Sequence, residues 1–149
     1  MNLQVQPSLR LVEPMPLRMH DTRRREKVNF TTLEPGKVSI YVCGVTVYDR
    51  CHLGHARCYL AFDLIHRWLE ASGYDVQYVQ NFTDIDDKII HRANELDGDW
   101  KALVDKNIEA YYEDMDALNI LRADEYPRCT EYVDDMIRIT ADLIEKGHA

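Results

Sequence analysis

The chain is poor in everything that marks secreted, membrane-spanning or loosely strung proteins. No apolar stretch approaches the roughly 20 residues that a membrane helix requires, and no apolar run near the start resembles a secretion signal. Four cysteines occur in 149 residues. Without such a signal they point to a reducing, cytoplasmic compartment, and no disulfide framework is expected. Internal repeats, low-complexity tracts and flexible linkers are lacking, so the body reads as one piece. Basic charge is scarce too: 18 lysines and arginines stand against 26 aspartates and glutamates, a net charge of −8. Over 95–135, thirteen acidic residues face four basic ones. Such a surface repels a polyanion, so any grip on nucleic acid is expected to be local. Arg18, Arg23, Arg24, Arg25 and Lys27 make the one basic cluster, and a run of that kind reads as solvated surface.

What is present suffices for a core. Hydrophobic residues are 46% of the chain, and a domain of this length buries about two-thirds of its unfolded surface. Residues 1–16, with Pro7, Pro14 and Pro16 among polar residues, read as a loosely ordered lead-in. Lys37-Val38-Ser39-Ile40-Tyr41-Val42-Cys43 reads as a strand. An amphipathic helix over 54–72 follows, with Cys58, Phe62, Ile65, Trp68 and Leu69 on its apolar face and Asp63, His66, Arg67 and Glu70 on the other. A second strand covers 75–81. Strand, helix and strand in that order predict an α/β fold with a parallel sheet.

The rest of the chain predicts helices. One carries the stripe Ile85, Ile89, Ala93 and Leu96, with Asp84, Asp86 and Asp87 as charges that suit the positive end of its dipole, and Lys88 and Arg92 solvated. A second, capped by Asp99, carries Trp100, Leu103, Val104, Ile108, Tyr111, Met115 and Leu118. Pro127 breaks the pattern. A last helix carries Val133, Met136, Ile137, Thr140, Leu143 and Ile144 and ends on Gly147. These last two helices are expected to pack on each other.

Chemistry concentrates where the first strand hands over to the first helix. In an open α/β sheet, ligands settle outside the carboxyl ends of the strands and phosphates lie against the amides of the next helix. Cys43 ends the strand, and His52 and His55 flank Gly54 at the start of the helix. Two imidazoles three residues apart can point from one turn into one site, and a glycine between them lets a bulky ligand approach the backbone.

His52-Leu53-Gly54-His55 resembles the HIGH signature of class I aminoacyl-tRNA synthetases. The segments around it resemble the cysteinyl branch of that family: Tyr41-Val42-Cys43-Gly44-Val45-Thr46-Val47-Tyr48-Asp49 before the signature, and Asn81-Phe82-Thr83-Asp84-Ile85-Asp86-Asp87-Lys88-Ile89-Ile90 after it. Asp116-Ala117-Leu118-Asn119-Ile120-Leu121-Arg122 and the closing Ile144-Glu145-Lys146-Gly147-His148-Ala149 extend the likeness, which runs over 17–149.

The resemblance implies the first half of a Rossmann-like catalytic domain and a two-step reaction. The carboxylate of L-cysteine attacks the α-phosphate of ATP, supplied with magnesium, and the acyl group then passes to tRNA(Cys). It implies that His52, Gly54 and His55 bind ATP, with both histidines catalytic through positioning and charge stabilisation. Gly44, Thr46 and Thr83 are implied to form the pocket for substrate cysteine. Cys43 is implied to be one ligand of a zinc ion that recognises the substrate thiol, a donor that zinc accepts readily where a serine hydroxyl is poorer. Its other ligands, a second lysine-rich ATP-binding signature, an inserted domain and an anticodon-binding region belong to later parts of the family pattern. The chain is therefore expected to be an N-terminal part, inactive alone and prone to self-association.

Other readings stay open. One histidine can cap the helix while the other packs. Thr83 can be a helix N-cap paired with Asp86. Cys51, His52, His55 and Cys58 could make a compact metal site, although their spacing is unlike that of zinc modules. At the level of function, the alternatives are a mycothiol-pathway ligase that joins cysteine to an amino sugar, and a nucleotide- or cysteine-binding paralogue without catalysis.

Overall fold

The computed structural model describes residues 17–149; the lead-in expected over 1–16 lies outside them. The chain divides into two compact units, one ending at Pro35 and one covering Gly36–Ala149. The first is a hairpin that the sequence reading did not anticipate. β1 (Arg18–Asp21) pairs antiparallel with β2 (Glu26–Asn29), Arg18 opposite Asn29 and Asp21 opposite Glu26. Its turn is built by Asp21, whose Oδ1 accepts from the amides of Arg23 and Arg24 at 2.8 and 3.0 Å. Arg25 occupies the left-handed region at φ 58°. Arg23, Arg24 and Arg25 thus sit on an exposed turn, with Arg18 and Lys27 exposed on the two strands, in keeping with solvated surface.

In the second unit β3 (Lys37–Val42) and β4 (Asp75–Gln80) run parallel, from Lys37 opposite Asp75 to Val42 opposite Gln80. They are joined by α1 (Leu53–Ala71). Parallel pairing demands such a crossover, and its short return is made by Gly73 at φ 88°. A third parallel segment lies on the far side of β4. The amide of Asp124 donates to Tyr78, those of Gln80 and Phe82 donate to the carbonyls of Glu125 and Pro127, and that of Cys129 donates to Phe82, all between 2.9 and 3.1 Å. Pro127 was expected only to break a pattern. It sits instead in an edge strand, where its missing N–H costs nothing and its carbonyl serves the ladder.

α1 buries Tyr59, His66 and Leu69, with Phe62 half-buried. The helical face is real but rotated from the expected one: Cys58 is exposed and Trp68 is 45% exposed. His66, expected on the polar face, lies stacked on Tyr78 with ring centroids 5.2 Å apart, and its Nε2 sits 3.5 Å from Glu70. An imidazole can join an apolar face when its ring finds a π partner and its nitrogen a carboxylate.

α2 (Asp87–Glu95) and α3 (Trp100–Ala117) complete the core. Their N-caps are Asp86 and Asp99, the latter as expected. α3 buries Val104, Ile108, Tyr111 and Met115. Tyr111 meets Tyr59 and Phe82 edge-on at 5.7 and 5.1 Å, and Phe82 stacks on Tyr126 at 5.3 Å. Each such side chain stabilises the fold by about 2–3 kcal/mol through burial. Ile85 and Leu96, expected in the α2 stripe, are instead 45% and 56% exposed at its flanks.

α4 (Val133–Glu145) follows a 3₁₀ turn at Cys129–Tyr132 and ends with Gly147 at φ 72°, where the His148 amide reaches the Leu143 carbonyl at 2.9 Å. The glycine stop is as expected. The packing is not, since α4 buries none of its residues against α3 or anything else described. Periodicity specifies an apolar face without specifying what covers it.

Candidate functional site

The first residues past β3 are set by contact with β4. Gly44 lies so close to the Asn81 backbone that a Cβ there would stand 1.5 Å from the Asn81 carbonyl oxygen. Its amide donates to Asn81 Oδ1 at 2.9 Å. The pairing then continues beyond the named strands: Thr46 sits opposite Thr83, the Thr83 amide donates to Val45 at 3.0 Å, and the Val47 amide donates to Thr83 at 3.3 Å. So Gly44, Thr46 and Thr83, expected in one pocket, lie on adjoining strand extensions. Thr83 is part of the ladder and does not cap α2; that position belongs to Asp86, which accepts from the Lys88 amide at 2.9 Å. Cys43 is exposed at the same edge. Its carbonyl accepts from the Tyr59 hydroxyl at 3.5 Å, which ties the end of β3 to the second turn of α1.

α1 opens on the histidine pair. His52 is the N-cap, and its Nδ1 accepts from the Gly54 amide at 3.0 Å. His55 Nδ1 accepts in return from the His52 amide at 3.2 Å. This is a capping box built from two imidazoles, with ring centroids 4.0 Å apart. Both Nδ1 atoms accept, so both rings carry their proton on Nε2, which remains a donor for something else. Burial, helped by the neighbouring His52, pushes the His55 pKa below its ordinary value, which keeps the ring neutral. Gly54 has a reason different from the one expected: a Cβ there would meet the His52 ring at 2.8 Å. The small residue makes room for the cap itself.

The compact metal site does not form. Burial, with Asp114 nearby, pushes the half-buried Cys51 thiol up to about 11, with Arg50 opposing, so it is a poor source of thiolate. Among the described residues no three His, Cys, Asp or Glu side chains are grouped to hold a metal ion. Cys43 therefore offers one soft, accessible donor and no completed site.

Asn81 carries more of the site than its sequence position suggested, and Asp84 and Arg92 near it in the chain have partners that the sequence did not show. Asn81 is 9% exposed and bonds Gly44 through Oδ1, while its Nδ2 lies 3.4 Å from Thr83 Oγ1 and 3.7 Å from Cys129 Sγ. It also lines a cleft of about 340 Å³ with Tyr41, Cys129 and Met136. The available signal was a run of polar residues at the end of a parallel strand, where apolar ones are usual. Asp84, expected as a dipole charge, is 2% exposed and accepts from the amide and hydroxyl of Thr130 at 2.9 and 2.5 Å. Arg92, expected to be solvated, pairs with Glu95 at 2.9 Å and Asp49 at 3.5 Å.

The family described as "tRNA synthetases class I (C) catalytic domain" matches residues 29–149. A cysteine–tRNA ligase of Cyanothece sp. is 51% identical over 91% of this chain and 27% of its own length. That of Maridesulfovibrio salexigens is 53% identical over 89% and 27%, and that of Salmonella arizonae 52% over 89% and 29%. The chain thus spans less than a third of the curated relatives it matches. Among solved structures, Mycobacterium tuberculosis methionyl-tRNA synthetase in complex with methionyl-adenylate superposes with a TM-score of 0.56 at 28% identity, over 62% of this chain and 18% of that one. A leucyl-tRNA synthetase from Agrobacterium radiobacter in a ternary complex with tRNA superposes with a TM-score of 0.64 at 22% identity, over 77% and 15%, a likeness of fold.

Proposed function

Because the chain belongs to the family of class I (C) tRNA synthetase catalytic domains, we propose that it supplies the front of an ATP-dependent cysteine–tRNA ligase acting in the cytoplasm on L-cysteine, ATP with magnesium, and tRNA(Cys). The observation that carries this reading is the imidazole capping box, which leaves two neutral Nε2–H donors at the amide end of α1, beside the carboxyl edge of a parallel sheet.

In the first step an oxygen of the cysteine carboxylate forms a bond to the α-phosphorus of ATP while the bond to the β-phosphate bridge breaks and pyrophosphate leaves. His52 and His55 donate to phosphate oxygens as charge spreads over them, while Gly54, whose amide holds His52 Nδ1, leaves room for that ring. This is stabilisation by fixed donors, worth about 10²–10³ in rate for one well-placed group. Neutral rings suit it, since they donate without a proton having to move.

The cysteine end falls to Cys43, Gly44, Thr46 and Thr83. Cys43 fits as one thiolate ligand of zinc by donor type and exposure, and zinc, when bound, favours a substrate thiol over a hydroxyl. The remaining ligands lie outside the described residues. With its acidic surface, this chain leaves most of the tRNA grip to other parts of the longer relatives.

The test is a graft in which residues 17–149 replace the matching segment of the Salmonella arizonae ligase. Cysteine-dependent ATP–pyrophosphate exchange followed by charging of tRNA(Cys) is expected. A folded graft that exchanges but charges only an amino sugar supports the mycothiol-type ligase instead. One that binds a cysteinyl-adenylate analogue without exchange supports a binding paralogue.

A further inference from the structure

We propose that Asn81 is the positioning residue of the cysteine side of the crevice, setting Gly44 and Thr83 through opposite ends of one amide. The inference rests on the cysteine-ligase reading for its catalytic consequence but not for its geometry. Three backbone segments end here: the exit of β3 at Cys43 and Gly44, the exit of β4 at Thr83, and the edge strand at Cys129. The Asn81 side chain is the group that touches all three.

Its chemistry divides cleanly. Oδ1 accepts from the Gly44 amide, which otherwise would be a part-buried donor without a partner. Nδ2, with two hydrogens to give, lies 3.4 Å from Thr83 Oγ1 and 3.7 Å from Cys129 Sγ. The Asn81 main chain also excludes any side chain at position 44, since its carbonyl occupies the space where a Cβ would stand. An amide is the one neutral side-chain group that accepts on one atom and donates twice on its neighbour. A carboxylate keeps only the first function, and an apolar residue keeps neither.

No hydrogen bond from Asn81 reaches the histidines, whose capping box is closed on itself. The cysteine end and the phosphate end of the crevice are therefore separable. Loss of the Asn81 amide disturbs Cys43, Gly44 and Thr83 and leaves His52 and His55 in place.

The first experiment uses the chain itself, with amide hydrogen exchange read residue by residue for the parent, Asn81→Ala and Asn81→Asp. Protection of the Gly44 amide is expected to fall at least tenfold in Asn81→Ala and to be kept in Asn81→Asp, while the Gly54 and His55 amides are unchanged in both. Unchanged Gly44 protection in Asn81→Ala overturns the proposal, and so does equal loss at Gly44 and Gly54, which is what general destabilisation produces. The second uses the graft described above. KM for cysteine is expected to rise about tenfold in Asn81→Ala, the scale of one lost buried hydrogen bond, with KM for ATP within twofold of the parent. Asn81→Asp, which keeps the acceptor for the Gly44 amide, is expected to raise KM for cysteine less than Asn81→Ala does. Equal rises in both KM values overturn the positioning role. A parent graft without exchange counts against the ligase reading alone, and the Gly44 result then decides the geometric proposal by itself.

Discussion

Gly44→Ala tests a close backbone approach at the strand ends. The added carbon would stand 1.5 Å from the Asn81 carbonyl oxygen, whereas ordinary contact begins at 3.4 Å. The two strand ends must therefore part by about 2 Å, which is large against the roughly 4.8 Å between neighbouring strands. The bonds at risk are Gly44 N to Asn81 Oδ1 at 2.9 Å, Thr83 N to Val45 O at 3.0 Å and Val47 N to Thr83 O at 3.3 Å. At about 1 kcal/mol each, with about 1–3 kcal/mol for overpacking, partial relaxation leaves a loss of about 4 kcal/mol. For a chain of this length that is a fall in Tm of about 10 °C. Urea denaturation followed by circular dichroism measures it, with Gly73→Ala as control. Gly73 has φ 88° and nothing within 4 Å of an added Cβ, so that change carries only backbone strain, about 1 kcal/mol. A Gly44→Ala variant within 1 kcal/mol of the parent, or no worse than Gly73→Ala, refutes the argument from close approach.

The depressed pKa of His55 gives a pH dependence with a definite sign. Above the ordinary value of 6.5 the ring is neutral whether the chain is folded or not, so its contribution is complete; as pH falls below 6.5 the unfolded chain takes up a proton that the folded one resists, and stability is lost. The urea midpoint is expected to drop between pH 7.5 and 5.5, and to drop less in His55→Gln; equal slopes for the two proteins contradict this. Iodoacetamide at pH 8, with mass spectrometry, is expected to label exposed Cys43 and Cys58 well before Cys51, whose thiol is half-buried and pushed up to about 11 by that burial; early labelling of Cys51 sinks the assignment. Asp84→Ala strands two Thr130 donors and is expected to cost about 3 kcal/mol. A double-mutant cycle with Thr130→Val then shows coupling above about 1 kcal/mol, and additive losses would mean that the pair does not act together.

Much of this was legible in the sequence, for reasons that also explain what was not. β3 and β4 announce themselves by β-branched residues bounded by turn signals, and their order around one amphipathic helix leaves parallel pairing as the natural outcome. The histidine pair was legible because its spacing is local. His66, Asp84 and Asn81 were misjudged or overlooked because a polar residue is taken to face water unless its partner is known. Those partners, Tyr78, Thr130 and Gly44, stand 12, 46 and 37 residues away. The edge strand was hidden by Pro127, whose penalty applies only where the ladder needs its nitrogen. The exposure of α4 was hidden by the opposite fault, since a good apolar stripe was read as a buried one.

The histidines themselves resolve a choice that the sequence posed as exclusive. Capping α1 and binding phosphate looked like rival accounts of His52, but they use different atoms, Nδ1 for the Gly54 amide and Nε2 for whatever lies outside. Capping alone does not explain an imidazole there, because Ser, Thr, Asp and Asn are the better N-caps. His52→Ser separates the two uses. The serine hydroxyl can accept from the first-turn amides, and His55 Nδ1 can still accept from the amide of residue 52, so the unfolding free energy should stay within about 0.5 kcal/mol of the parent. The Nε2 donor is lost, so pyrophosphate exchange in the graft should fall about 10²-fold, the scale of one preorganised charge-stabilising donor. If exchange survives His52→Ser, the ring is a cap and nothing more. If stability and exchange fall together, the loss of rate reports a frayed helix. Only a stable, slow variant is consistent with a residue whose two nitrogens have been given separate tasks.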